Sequence, residues 1–155
     1  MVHFLMARRL LQAALLVGIF ASVASVYGAE PDPKVLAYIP LDKVKWTNNA
    51  NGSKQSVVVG DPEKPGMYVV LYIWPAHNMS RPHFHPNDRF ITVIKGTWWV
   101  GTGSKYDPAS TVPMPAGTFV THFGKQIHYD GAKDEDVYLQ IVGMGPATAT
   151  PAETK

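Results

Sequence analysis

Between positions 56 and 142 the chain alternates short apolar runs with clusters of turn-forming residues. Residues 56–59 (Ser-Val-Val-Val) stop at Gly60-Asp61-Pro62, and residues 67–74 (Met-Tyr-Val-Val-Leu-Tyr-Ile-Trp) stop at Pro75. Residues 90–94 and 97–100 flank Lys95-Gly96, which predicts a tight turn and a hairpin. Residues 118–123, 127–129 and 137–142 complete the set of strands. Between them, residues 101–110 read as a polar loop, residues 113–117 (Pro-Met-Pro-Ala-Gly) as a turn, Gly124 as a corner, and residues 130–136 as a charged turn. The runs are β-branched and aromatic, of strand length, and nothing between them sustains a helical period. Many short strands at close spacing predict an all-β sandwich or small barrel.

The two ends have a different texture. Arg8 and Arg9 precede an apolar run from Leu10 to Ala24, and small residues lead up to Gly28 and Ala29. A charged start, an apolar middle and small residues at a cut form the layout of an export signal. The run is short for a membrane span. The expectation is therefore a signal peptide over residues 1–28, cleavage, and a periplasmic or secreted protein with no membrane attachment afterwards. Residues 29–65 read as an N-terminal arm with the first strands, including one helical turn at 41–45, Trp46 packed over an opening of the barrel, and a loop at 48–53. Residues 66–146 read as the barrel. Residues 147–155, an alternation of Ala, Thr and Pro with little apolar payload, read as a disordered tail.

The leader also changes the charge. The whole chain has 14 Lys+Arg against 12 Asp+Glu, but without Arg8 and Arg9 the two counts are equal. A neutral body gives no reason to expect nucleic acid as a partner. There is no cysteine, so neither a disulfide nor a thiolate nucleophile contributes.

The chemistry is concentrated in Arg81-Pro82-His83-Phe84-His85-Pro86-Asn87-Asp88-Arg89. On an extended strand, side chains two apart share a face. His83 and His85 therefore point the same way, and two imidazoles on one face are half of a metal site. Further ligands must come from elsewhere in the chain. His128 is the candidate third, and His122 the candidate fourth, with a backbone-bonded strand histidine as its alternative. His77 reads as solvated.

With Gly96 eleven residues after His85 and a distal histidine beyond Pro115 to Gly117, this arrangement resembles the two-motif pattern of the cupin superfamily. The first cupin motif is Gly-x5-His-x-His-x(3,4)-Glu-x6-Gly, and His83, His85 and Gly96 fall at matching distances. Pro75 or Ala76 stands near the leading glycine, and Arg89 stands where a ligand glutamate is expected. In the looser second motif, Phe123-Gly124-Lys125 replaces the Pro-x-Gly corner, and His128 is the carried-over ligand. The stretch from His122 through the Gln140-bearing strand is similar to the closing hairpin of small exported bacterial cupins. The resemblance implies a double-stranded β-helix (jelly-roll) barrel. It also implies a divalent ion (Fe, Mn, Ni, Cu or Zn) held by His83, His85 and His128, and dioxygenase- or isomerase-type chemistry on a small molecule. Some cupin thiol dioxygenases are similar in using three histidines without the carboxylate.

Arg89 leaves two readings open. An arginine is always protonated and cannot ligate a metal. It either swings aside, pairing Asp88 or meeting an anionic substrate, or the barrel is a non-catalytic module in which Arg89 captures an anionic small molecule. Gln140, between Leu139 and Ile141, is a second candidate substrate contact if it faces inward, and a solvated residue if it does not. Trp98 and Trp99 point to opposite faces of one strand, so one of them lies outside the barrel, where a partner subunit in a homodimer would cover it.

Overall fold

The computed structural model describes residues 30–154, and the signal-peptide expectation for residues 1–28 lies outside them. The chain divides at Tyr38. In the first unit, the side chain of Asp32 accepts a bond from Lys34 N at 2.9 Å, and the Tyr38 hydroxyl donates to Glu30 at 3.1 Å.

From Ile39 onward the chain is built of strands: β1 (Thr47–Asn48), β2 (Lys54–Val59), β3 (Gly66–Trp74), β4 (His83–Phe84), β5 (Arg89–Lys95), β6 (Thr97–Thr102), β7 (Val112–Pro115), β8 (Phe119–His122), β9 (His128–Ala132), β10 (Val137–Gly145) and β11 (Thr150–Pro151). They form two antiparallel sheets, ordered β1-β2-β3-β10-β5-β8 and β11-β4-β9-β6-β7. The interior between them follows the period of two. Along β10, Val137, Leu139, Ile141 and Gly143 are buried while Gln140 and Met144 are exposed. Along β5, Ile91 and Val93 are buried and Phe90 faces out. Tyr68, Val70 and Trp74 of β3, with Trp98 and Val100 of β6, complete the core. Burial of these apolar faces, at about 25 cal/mol per Å², is the main favourable term for a fold with no disulfide.

Two glycines are placed by close approach. Gly96 turns the β5–β6 hairpin at φ +78°. Gly143 lies under the phenol of Tyr68, and a Cβ there would stand 2.6 Å from the Tyr68 oxygen. This lets the Tyr68 ring lie across the interior.

Several expectations are corrected. Residues 113–115 are strand β7, not a turn; β7 is the edge of its sheet, where a proline's missing N–H costs no ladder bond. Asp130 belongs to strand β9 rather than to a charged turn, and it is buried. Trp46 does not cover a barrel opening but meets the outward Tyr138 edge-on, with ring centroids 6.1 Å apart. Trp98 and Trp99 do lie on opposite faces, Trp98 buried and Trp99 outside with Lys133 Nζ 3.6 Å above its ring. Within the tail, β11 pairs with β4, Thr150 opposite Phe84 and Pro151 opposite His83.

Candidate metal centre

Two cross-strand pairs build the centre. In one sheet His83 of β4 stands opposite His128 of β9; in the other Arg89 of β5 stands opposite His122 of β8. His85 follows two residues after His83, on the same side. Ligand nitrogens of His83, His85 and His128 lie within 4.8 Å of one another. His83 Nε2 and His85 Nε2 are 3.1 Å apart.

Each of these three rings is held from behind by a backbone carbonyl. His83 Nδ1 faces the Arg81 oxygen at 2.8 Å, His85 Nδ1 the Thr148 oxygen at 2.9 Å, and His128 Nδ1 the Gln126 oxygen at 3.0 Å. A carbonyl only accepts, so each Nδ1 carries a hydrogen, which in a neutral ring leaves the lone pair on Nε2. The three lone pairs converge. Neutral rings in this tautomer repel one another at that point unless a cation or a proton lies among them, and a carbonyl behind the ring is the usual support of a metal-ligating histidine. The donor set, three imidazole nitrogens without thiolate or carboxylate, fits a divalent transition ion.

His122 behaves differently. Its ring lies beside His128, centroids 3.9 Å apart, and near Trp98 at 5.2 Å. Its Nδ1 accepts from Arg89 Nη2 at 3.3 Å, which leaves the hydrogen on Nε2, buried and without a partner among the described residues. It groups with His128 and Asp130 rather than with His83 and His85. His77 is exposed and stands apart from these rings.

Arg89 is neither swung aside nor paired with Asp88, whose carboxylate accepts from Gly124 N at 2.7 Å. The period of β5 puts Arg89 on the same face as Ile91 and Val93, inside. Its Nη2 reaches His122, and His128 Nε2 at 3.4 Å, while its Nε is buried with no partner among the described residues. Among the described residues no carboxylate forms an ion pair with it. Gln140 is exposed, on the outer side of β10, and does not reach the interior.

Asp130 is the residue the sequence reading missed. It accepts from Trp98 Nε1 at 3.1 Å and lies 3.9 Å from His128 Nε2. His128, Asp130 and Ala132 share one strand face, and that alternation was the available signal.

His83 and His85 open onto a cavity of about 700 Å³. Tyr68, Val70, Tyr72, Trp74, Trp98 and Leu139 form much of its wall, with Arg89, Asp130 and the exposed Glu63 as its charged groups. Burial, followed by the Arg89 charge, holds the His85 imidazole down at about 2. Burial holds His128 at about 4 although Asp130 draws it upward. Burial and the neighbouring His128 and Arg89 keep His122 far below the usual histidine range. Burial also pushes the Tyr68 phenol up.

No family model and no curated protein matches the sequence. Solved structures do match. The polyketide cyclase RemF from Streptomyces resistomycificus superposes with a TM-score of 0.63 at 12% identity, over 77% of this chain and 87% of that one. An uncharacterized protein with a double-stranded β-helix domain from Klebsiella pneumoniae gives 0.57 at 22% identity, over 76% and 97%. An RmlC-like cupin from Shewanella frigidimarina gives 0.55 at 11%, over 70% and 91%. The chain has the cupin fold. At these identities the cupin likeness speaks for the double-stranded β-helix and leaves the chemistry to the site itself.

Proposed function

We propose that this cupin is an exported protein that holds a divalent metal ion on His83, His85 and His128 and acts on a small molecule bound in the adjoining cavity. The observation that carries the reading is the convergence of three Nε2 lone pairs, each fixed by a backbone carbonyl behind its ring. A bound ion supplies Lewis-acid or redox chemistry at positions facing the cavity, in line with a dioxygenase- or isomerase-type reaction. The aromatic wall gives the substrate an apolar surface to pack on, Arg89 presents a permanent positive charge to an acidic group of the substrate, and Asp130 holds the indole of Trp98 in place. Export to the periplasm or beyond follows from the leader-like residues 1–28. A homodimer covering the outward Phe90 and Phe119, which stack at 6.4 Å and are 44% and 63% exposed, suits the outer face of the larger sheet. The test of the metal is elemental analysis of protein purified without a histidine tag. We expect near-stoichiometric Fe, Mn, Ni, Cu or Zn in the wild type and its loss in the His83→Ala/His85→Ala double variant. Equal, trace metal in both overturns the reading.

One observation favours a second reading. A buried guanidinium without a carboxylate partner is costly, and a module that captures an anion directly would supply the missing charge. Arg89→Met separates the two. Under the metal reading it keeps, and strengthens, Zn²⁺ binding, because Arg89 no longer competes for the His128 lone pair. Under the second reading, small acids that raise the melting temperature of the metal-free wild type cease to do so in the variant.

A further inference from the structure

We propose that residues 147–154 form a strap that docks on the metal-ligand strand and holds His85 in its metal-binding tautomer, so that strap docking and metal loading strengthen each other. The inference rests on the metal reading above and concerns a segment with no ligand of its own.

The strap is tied down along its length. Ala147 N donates to the Pro62 oxygen at 2.7 Å, Ala152 N to the Pro82 oxygen at 2.9 Å, and Thr154 N to the Ser104 oxygen at 2.9 Å. Between these ties the Thr148 carbonyl accepts from His85 Nδ1 at 2.9 Å. This is the one carbonyl behind the three rings that comes from far along the chain. Those behind His83 and His128 come from two residues earlier, Arg81 and Gln126, and need no docking event.

Arg81 joins both halves. Its backbone oxygen holds His83, while its guanidinium grips Glu153 of the strap through Nε at 2.8 Å and through Nη2, and lies 3.9 Å from the Tyr106 ring centroid. A two-point arginine–carboxylate pair that also stacks on an aromatic ring is more than an ordinary surface ion pair. Ala147, Thr148 and Ala149 line the cavity, so the strap is also part of its wall.

Released, the strap leaves His85 free to turn or to change tautomer, and one of three ligands is no longer preset. By linkage, an ion that favours the preset ring also favours the docked strap. Thr148 acts through its backbone oxygen and is a positioning residue, which explains how a tail of Ala, Thr and Pro serves.

The test uses the full chain, stripped of metal and titrated with Zn²⁺ by calorimetry and with Co²⁺ by visible absorption. Amide exchange at Ala152 and Thr154 is followed with and without the ion. In the wild type the ion should slow exchange at both amides. Glu153→Arg, which repels Arg81 at an exposed position, should speed that exchange, weaken Zn²⁺ binding by about tenfold or more, and alter the Co²⁺ spectrum, with little change in the melting of the metal-free protein. The swap Arg81→Glu/Glu153→Arg should restore affinity to within about threefold. A chain ending at Pro146 should show the same loss as Glu153→Arg. Wild-type affinity in that shortened chain overturns the strap while leaving the metal site standing. A wild type that binds neither ion overturns both.

Discussion

Lowering the pH of the metal-free protein tests the buried imidazoles directly. Three of them, His85, His122 and His128, are held below the ordinary histidine range by burial, the first at about 2 and the last at about 4. In the unfolded chain each returns to about 6.5. Below that pH the unfolded state binds protons that the folded state refuses, so stability present above about pH 6.5 is lost as pH falls toward the folded values. Each refused proton contributes a slope of up to about 1.4 kcal/mol per pH unit, and three together about 4 kcal/mol per unit near pH 5. Two units of acidification then remove roughly 6–8 kcal/mol, comparable with the whole stability of a typical domain, about 5–15 kcal/mol. The metal-free protein should unfold between about pH 6 and pH 4, cooperatively and with uptake of close to three protons. The assay is urea denaturation in EDTA at half-unit steps of pH, the slope of unfolding free energy giving the proton count. His122→Phe, which removes a ring that makes no carbonyl-backed ligand, should lower that count by one. A wild-type slope of one proton or fewer through pH 5 would refute the claim that these rings are buried and neutral.

Other perturbations have expected outcomes of their own. Gly143→Ala places a methyl 2.6 Å from the Tyr68 oxygen, and urea titration should show a loss of about 1–3 kcal/mol from overpacking, with changed tyrosine fluorescence. Trp98→Phe removes the donor to buried Asp130 and should cost about 1–3 kcal/mol, read in the same way. Gln140→Ala alters an outward side chain; it should leave stability within about 0.5 kcal/mol and Zn²⁺ affinity unchanged, and a marked loss of binding would contradict the placement of Gln140 outside the barrel.

The strands were legible because their signal is local. β3 and β5 carry an apolar period bounded by glycine and proline, and the structure keeps them within a residue or two. The His83/His85 pair was legible for the same reason, since side chains two apart on a strand share a face whatever the fold. Alternation also held more than was taken from it. Leu139 and Ile141 facing inward already force Gln140 outward, and His128 facing inward carries Asp130 with it. The composition of residues 130–136 hid this: one buried acid among several exposed ones reads as a turn. Non-local causes were not legible. The tail is held by backbone bonds to an open strand edge and by a pair between Glu153 and the distant Arg81, neither of which leaves a local pattern in the sequence.

The replacement of a ligand carboxylate by Arg89 decides what kind of molecule the cavity suits. Before any ion binds, burial holds His85 and His128 below the ordinary histidine range, and the charged side chains on the cavity wall are Arg89, Asp130 and the exposed Glu63. A divalent ion adds two positive charges to a site without a ligating carboxylate to offset them. In a largely apolar cavity such an excess is costly, so an anion that enters with the ion gains more there than a neutral molecule of the same shape. Metal affinity should therefore rise when a small carboxylate is present, and the carboxylate's affinity should rise by the same factor when Zn²⁺ is present. Calorimetric titration of each in the presence of the other measures both factors. In Arg89→Met the imbalance is smaller by one charge, so the coupling should weaken while Zn²⁺ binding alone tightens. Coupling that is absent in the wild type, or unchanged in the variant, would mean that Arg89 does not share an anion with the three histidines.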